Sequence, residues 1–168
     1  PNNVQVLLIN DRNINAFVAG GQIVWLHSGL ITAADNANQL QGVIAHELGH
    51  IEGGHIIRSG EGMKAATGIT LLSLLLGAAA IAAGGGEGGM GIISASQQAA
   101  MGKYLAVART QESSADLAGA RYMHAAGISG QGSIAFFKKL QNLEYRYRLR
   151  EEADDGYATT HPLSSDRI

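Results

Sequence analysis

The chain has 168 residues, of which 46% are hydrophobic, and its formal net charge at pH 7 is −2. This length and composition can supply one sizeable hydrophobic core, and no repeat or linker indicates a second domain. The small net charge gives no support to nucleic-acid binding, and the absence of cysteine excludes disulfides and thiolate metal sites. We therefore expect one domain over residues 1–168, with an α+β, mainly helical fold.

Three short apolar runs predict a small sheet within residues 1–35. They cover residues 4–9, 16–19 and 23–26. Gly20 and Gly21 can adopt positive φ, so we expect the second and third runs to form a hairpin in an antiparallel sheet. Because no initiator methionine precedes the first run, we also expect the chain to be excised from a longer protein.

Residues 46–50, HELGH, form an H-E-x-x-H motif. On a helix its two histidines lie about 40° apart around the axis, so both imidazoles can reach one ion. This motif is the signature of zinc hydrolases, in which the glutamate acts as general base. The sequence therefore predicts His46 and His50 as zinc ligands and Glu47 as the catalytic base.

The surrounding sequence places this motif on a helix over residues 36–57. Apolar residues recur at helical spacing, and Asn36 with Gln39 resembles an N-terminal capping box. Gly53 and Gly54 predict where this helix weakens or ends. One helix face can then be buried while the other holds a metal.

A catalytic zinc site needs a third protein ligand. In the metzincin pattern this ligand would fall on Ile56, so His55 stands one residue too early, and we expect it to orient the helix end or pack near the site. Glu112 is the better candidate, with Asp116 one turn later on a predicted helix over residues 103–126. Asp116 could accept the free ring N–H of a ligating histidine. The alternative is a solvated helix face, on which both carboxylates pair with Arg109 and Arg121.

Three motifs of the chain resemble, in order and spacing, those of the HtpX-like and BepA-like zinc endopeptidases. They are HELGH at residues 46–50, RTQESSAD at 109–116 and HPLSSDR at 161–167. These proteins belong to the gluzincin group, which also contains the CAAX prenyl protease type. The Asn15-Ala16-Phe17 run is similar to a further element of that family, so the resemblance covers residues 13–168. Three motifs in the same order make it specific.

The resemblance implies a zincin-like (minigluzincin) metalloprotease domain with an active-site helix carrying the H-E-x-x-H motif. It implies one zinc ion held by His46, His50 and Glu112, and Glu47 as the catalytic base. Asp116 would orient a ligand or handle protons. Such endopeptidases often bind substrate as an added strand, for which a sheet edge near residues 15–18 would serve.

His161 and Arg167 are also marked by the resemblance, and they lie in a predicted loop over residues 159–168. Either side chain could donate a hydrogen bond to a tetrahedral oxyanion. In BepA-like relatives the corresponding histidine can instead take the fourth zinc position, displace water and hold the enzyme inactive. A loop histidine with a structural hydrogen bond is a third alternative. The sequence does not choose among these roles.

Residues 63–102 are predicted to form an apolar hairpin, and a packing helix is predicted over residues 131–153. Residues 65–86 carry no charge, and a helix of this length is about 33 Å long, against about 30 Å for the hydrocarbon core of a bilayer. Much of the segment is alanine and glycine, however. A transmembrane hairpin, a buried or partner-covered helix and an apolar segment resting on a membrane surface all fit this pattern; we expect the last.

The resemblance implies an endopeptidase acting on unfolded or misassembled envelope proteins, in the periplasm or at a membrane of the bacterial cell envelope. Some BepA-like relatives carry a flanking helical-repeat domain, which would lie outside this chain. The alternative function is a zinc-stabilised chaperone-like or binding module with absent or latent proteolysis. The presence of Glu47 favours the endopeptidase, because a binding module has no need of a catalytic base.

Overall fold

The computed structural model describes residues 1–150 and His161. A mainly helical fold with a small sheet is confirmed. The strands are β1 (Gln5–Ile9), β2 (Ala16–Ala19) and β3 (Ile23–His27), and the helices are α1 (Ser28–Ala33), α2 (Ala37–Gly53), α3 (His55–Ala82), α4 (Gly86–Ala125) and α5 (Gln131–Arg150).

The three-stranded sheet has the order β1-β3-β2, with β3 in the centre. The β2–β3 pair is antiparallel, with Ala16 opposite Leu26, but the β1–β3 pair is parallel, with Gln5 opposite Ile23. Our prediction of an antiparallel sheet is therefore wrong for β1. Successive strands alternate in direction, so β1 and β3 run the same way, and the sheet is mixed because β3 lies next to β1.

The hairpin between β2 and β3 forms as predicted. Gly20 and Gly21 have φ of 66° and 94°, values that side chains beyond glycine rarely tolerate. Within the hairpin, the His27 amide donates a 3.0 Å hydrogen bond to the Asn15 carbonyl. Because backbone groups of a strand point alternately to its two sides, the carbonyl of the next residue, Ala16, points to the open edge of the sheet.

Helix α2 starts and ends at the residues that its capping signals predict. The Asn36 side chain accepts a 3.1 Å hydrogen bond from the Gln39 amide, and the Gln39 side chain accepts one of 2.8 Å from the Asp35 amide. Gly54 has φ of 62° and ends the helix at Gly53, earlier than the predicted bound of residue 57.

The chain forms two compact units. The first consists of Pro1–Ile56 and the described residues from Gln111 onwards. Its core is a cluster of buried apolar residues from the sheet, α1, α2 and α5: Ala16, Val24, Leu26, Leu30, Val43, Phe136, Phe137 and Leu140. Helix α5, predicted as a packing helix, contributes Phe136, Phe137 and Leu140 to this core. Helices α2 and α5 approach closely at Gly42, where an added Cβ would lie 2.9 Å from Ser133 Cα.

The second unit, Ile57–Thr110, is built from parts of α3 and α4. The two helices approach closely at Gly77, where an added Cβ would lie 2.9 Å from the Gly89 carbonyl oxygen. Helix α4 starts at Gly86, so our prediction of a separate helix beginning at residue 103 is wrong. Exposed glycines weaken a helix by about 1 kcal/mol each but do not interrupt it. In the described part of the chain, no helix combines the length and apolar character needed to cross a membrane.

Candidate metal centre

The buried face of α2 carries the H-E-x-x-H motif. His46, Glu47 and His50 are all buried, and Glu47 has no exposed surface. Because the two histidines are four residues apart on one helix, their Nε2 atoms lie only 3.0 Å from each other. Helix α2 therefore presents two metal-ligating nitrogens at one point.

Helix α4 brings Glu112 to the same point. The helices can approach because their contact consists of small residues: an added Cβ on Gly49 would lie 2.8 Å from Ala115 Cα, and one on Gly119 would lie 3.1 Å from the Ala45 carbonyl carbon. As a result, Glu112 Oε2 lies 3.3 Å from His46 Nε2, and Glu112 Oε1 lies 3.3 Å from His50 Nε2.

His161 completes a cluster of four ligand atoms. Its Nδ1 atom lies 3.3 Å from His46 Nε2 and 3.2 Å from Glu112 Oε1. One ligand atom each from His46, His50, Glu112 and His161 lies within 4.8 Å of all the others, and all four residues are buried. The His161 imidazole is thus inside the cluster rather than beside it.

The spacing of these atoms fits a tetrahedral zinc site. Zinc binds imidazole nitrogen and carboxylate oxygen at about 2.0–2.1 Å, so the ligands of a tetrahedral ion lie about 3.3 Å apart. Five separations between neighbouring atoms, counting both oxygens of Glu112, are 3.0–3.3 Å, and the whole set of four ligand atoms lies within 4.8 Å. Nitrogen and carboxylate oxygen donors without thiolates are also a set that zinc accepts.

Hydrogen bonds orient two of the imidazoles with a lone pair towards the cluster. His46 Nδ1 lies 2.8 Å from Asp116 Oδ1, and since a carboxylate only accepts, Nδ1 carries the hydrogen. His161 Nε2 lies 3.1 Å from the Ala16 carbonyl oxygen, which also only accepts. The cluster-facing atoms, His46 Nε2 and His161 Nδ1, then carry the lone pairs that a cation would bind.

The Glu47 carboxylate lies directly beside the cluster. Its Oε1 atom is 3.3 Å from His161 Nε2, and neither carboxylate oxygen has a hydrogen-bond partner among the residues that the structure describes. A buried polar group without a partner costs about 1–3 kcal/mol. Burial of the Glu47 carboxylate therefore lowers the stability of the fold.

The electrostatics of the cluster keep Glu112 ionised. Burial raises the pKa of Glu112, but the imidazoles of His161, His46 and His50 beside its carboxylate outweigh it, and the pKa is well below its ordinary value. Burial lowers the pKa of His46, but the Asp116 and Glu112 carboxylates outweigh that and raise it to about 9, so a metal ion competes with a proton for His46 Nε2. Burial also lowers the pKa of His50. An ionised carboxylate is the form that binds a metal.

Most residues predicted from the sequence lie together in this centre. They are His46, Glu47, His50, Glu112, Asp116 and His161. Arg167 lies outside the described residues, so its role stays a prediction. The alternative of a solvated face is wrong for Glu112, which is 3% exposed, and Arg121 lies 3.9 Å from Glu52 instead.

Sequence reasoning missed the Ala16 carbonyl and the role of Ser114. Residue types do not indicate which backbone carbonyl lies at the site, so the position of the Ala16 carbonyl is known only from the strand order. Ser114 contacts His55, whose Nδ1 atom lies 2.9 Å from His50 Nδ1, so the expectation that His55 packs near the site is confirmed. The Gly53-Gly54 pair was the available signal, because a helix end there returns His55 to the site.

Comparisons with known proteins identify the family of this chain. A model of peptidase family M48 matches residues 1–168. A Vibrio cholerae serotype O1 protein assigned to the beta-barrel assembly-enhancing proteases is 34% identical over 161 residues, covering 96% of this chain and 32% of that protein. The beta-barrel assembly-enhancing protease of Escherichia coli K12 is 30% identical, with the same coverage. Metalloprotease LoiP of E. coli K12 is 30% identical over 99% of this chain and 60% of its own length.

The chain spans about a third of the length of the first two relatives. The family match extends over the whole chain, and the relatives are proteases by name. The resemblance indicated by the three sequence motifs is therefore confirmed. The chain belongs to peptidase family M48, and it carries a metalloprotease domain of that family.

Proposed function

We propose that this domain is a zinc-dependent endopeptidase that His161 holds in a latent form. The observation that carries the proposal is the Glu47 carboxylate, which is fully buried beside four converging ligand atoms and lacks a hydrogen-bond partner in the described part of the chain. A binding module gains nothing from such a group. A hydrolase uses it as a general base.

Three side chains are proposed to hold the zinc ion: His46, His50 and Glu112. Two imidazoles and one glutamate are the protein ligands of several catalytic zinc sites. When bound, zinc acts as a Lewis acid on the scissile carbonyl and lowers the pKa of water towards about 7. Asp116 fixes the tautomer and orientation of His46 through the 2.8 Å contact at Nδ1.

Glu47 is proposed to move the proton during peptide-bond hydrolysis. Its carboxylate takes a proton from the attacking water and delivers it to the nitrogen of the departing amine as the C–N bond breaks. Its neighbour on α2, His46, points into the same cluster, so the carboxylate lies within reach of the reacting atoms. Burial also excludes bulk water that would compete for the proton.

The position of His161 supports latency rather than a role as electrophile. Its Nε2–H donates to the Ala16 carbonyl, so the atom that faces the cluster, Nδ1, has no hydrogen to offer an oxyanion. This lone pair lies where a fourth ligand belongs. We therefore favour the fourth-ligand role, in which the imidazole excludes water from the position that catalysis requires.

Substrate is proposed to bind as a strand added to the open edge of β2. The Ala16 carbonyl points to that edge, where it would accept a hydrogen bond from a substrate amide. His161 Nε2 occupies this acceptor at 3.1 Å. An arriving strand would therefore compete with His161 for one carbonyl, and losing it would weaken the hold of His161 on the cluster.

The substrates are proposed to be unfolded or misassembled envelope proteins, encountered in the periplasm or at the membrane of a bacterial cell. The names of two relatives refer to enhanced assembly of β-barrels, which supports this class of substrate. The exposed leucines of α3 support a membrane surface as a second partner, since Leu71 and Leu75 are 58% and 71% exposed.

The proposal is tested by replacing the base without changing its shape. Purified Glu47→Gln should bind as much zinc as the wild type, because Glu47 is not a ligand, and should cleave casein about 10²–10⁴-fold more slowly. Both proteins are assayed for zinc by elemental analysis and for cleavage with a fluorescent casein. The His161→Ala background, in which the block is removed, provides the larger signal.

Glu52→Gln is the matched control, because Glu52 lies on the same helix but is exposed. It should retain full activity. Equal cleavage by Glu47→Gln and the wild type would contradict the mechanism. Zinc binding without cleavage in any variant would favour the zinc-stabilised binding module instead.

A further inference from the structure

His55 and Ser114 form a chain of contacts that leads from His50 to the backbone of α4. His55 is 7% exposed, and its Nδ1 atom lies 2.9 Å from His50 Nδ1. On the other side of the ring, His55 Nε2 lies 2.8 Å from Ser114 Oγ. Ser114 Oγ in turn lies 3.0 Å from the Gln111 carbonyl oxygen.

The directions of the hydrogen bonds in this chain depend on where Ser114 donates its single hydroxyl hydrogen. We assign this hydrogen to the Gln111 carbonyl, which can only accept. Donation to His55 Nε2 would reverse the chain and place the hydrogen of His50 on Nε2, where a metal ligand needs a lone pair. Ser114 Oγ must then accept from His55 Nε2–H, which leaves His55 Nδ1 as an acceptor. His50 therefore carries its hydrogen on Nδ1, and its Nε2 lone pair faces the cluster.

The glycine pair at the end of α2 makes this arrangement possible. Gly54 has φ of 62°, so the chain leaves the helical path and α3 begins directly at His55. The His55 ring then lies over Gly53, where an added Cβ would come within 2.6 Å of His55 Cε1. Any larger residue at position 53 would displace the ring from His50.

We propose that His55 is a positioning residue for the metal centre, and that His55 and Ser114 act as a relay that sets the tautomer of His50. The relay gives His50 what Asp116 gives His46, an acceptor for the ring N–H that does not face the metal. It also ties the second ligand to the helix that carries the third, because Ser114 and Glu112 are both on α4. The proposal rests on the zinc site of the proposed function.

Zinc affinity, measured by competition with a chelator, tests the relay without reference to activity. His55→Leu removes the acceptor and should weaken zinc binding about 10–100-fold. His55→Asn places an amide oxygen near the former Nδ1 position and should restore most of the affinity. His124→Leu, at an exposed histidine of α4, is the matched control and should bind zinc as the wild type does.

A role in packing alone predicts a different pattern. It would lower the melting temperature of the metal-free protein while leaving the zinc affinity of His55→Leu unchanged, and this result would overturn the relay. Equal losses of affinity in His55→Leu and His55→Asn would also overturn it. If the wild type bound no zinc, the proposed function itself would fail, which is a distinguishable outcome.

Ser114 provides a second test if His55→Leu does not fold. Ser114→Ala removes the acceptor of His55 Nε2–H and should weaken zinc binding several-fold, whereas Ser114→Thr keeps the hydroxyl and should bind zinc normally. An unchanged affinity in Ser114→Ala would overturn the relay.

Discussion

At the scale of single residues, each imidazole of the centre has a different acceptor for its outer N–H. His46 faces the Asp116 carboxylate, His50 faces the His55 ring, and His161 faces the Ala16 carbonyl. Charge-assisted hydrogen bonds are roughly twice as strong as neutral ones, so His46 is held most firmly. The acceptor of His161 is neutral and lies at an open sheet edge, where another donor can replace it. His161 is therefore the imidazole best suited to leave the cluster.

Removing the His161 imidazole should activate the enzyme. If the open conformation is populated to about a tenth in the wild type, His161→Ala should raise casein cleavage about tenfold. The increase should disappear in the His161→Ala, Glu47→Gln double variant, since the base is then missing. A loss of activity in His161→Ala, measured at equal zinc content, would contradict latency and assign His161 the role of electrophile.

The convergence of His46 and His50 could be predicted from sequence because a helix fixes the relation between residues four apart. If the helix continued, His55 would lie about 140° around its axis from His50, away from the site. The helix does not continue, because Gly54 ends α2. A rotation angle along a helix is valid only up to its end, so the contact between His55 and His50 required the structure.

At the scale of elements, the site depends on how closely α2 and α4 approach. At Gly49 of α2 and at Gly119 of α4, a glycine faces the other helix. The two backbones therefore come close enough for Glu112 to reach two histidines. The i, i+4 spacing of Glu112 and Asp116 then places one carboxylate at the cluster and the other at His46 Nδ1.

Gly49→Ala should separate the two helices. The added methyl group would lie 2.8 Å from Ala115 Cα, and overpacking of this kind costs about 1–3 kcal/mol. We expect a lower free energy of unfolding in urea and weaker zinc binding. Gly102→Ala is the control, because an added Cβ there meets nothing within 4 Å; it should be neutral or stabilise the fold by up to about 1 kcal/mol. Equal stability of the two variants would show that the contact at Gly49 is not tight.

Short-range sequence patterns predicted the ends of α2 and the hairpin, but they did not predict the order of the strands in the sheet. Asn36, Gln39 and Gly54 act on backbone groups a few residues away, and Gly20 and Gly21 act within one turn. The sequence of residues 4–9 does not indicate whether this strand pairs with β3 or with β2, because its side chains alternate in the same way in either pairing. The parallel β1–β3 pair depends on contacts between segments distant in the sequence, which local signals do not encode.

At the scale of the whole molecule, the second unit exposes an unusually apolar surface. Its large exposed side chains are mostly leucine, isoleucine and methionine, including Met63, Leu71, Leu72, Leu74, Leu75, Leu76, Ile81, Met90, Ile92 and Met101. Soluble proteins rarely expose so many apolar residues together unless another surface covers them. A bilayer surface is the partner we propose.

The chain should therefore bind to vesicles of phosphatidylethanolamine and phosphatidylglycerol in a flotation assay. Replacing Leu72 and Leu75 with glutamine should weaken partition roughly thirtyfold if each side chain buries about half its area, a loss of about 2 kcal/mol. Leu117→Gln is the control, because Leu117 is 62% exposed but lies in the first unit. Equal flotation of the double variant and the wild type would contradict membrane binding through this surface.

The central claim is a zinc centre in which His161 is the fourth ligand, and X-ray absorption at the zinc edge tests it most directly. Multiple scattering in such spectra counts the imidazoles bound to the metal. We predict one zinc per chain with three imidazoles in the wild type and two in His161→Ala, matching the cluster of His46, His50, Glu112 and His161. Two imidazoles in both proteins would contradict latency through His161, and an absence of zinc would contradict the metal centre itself.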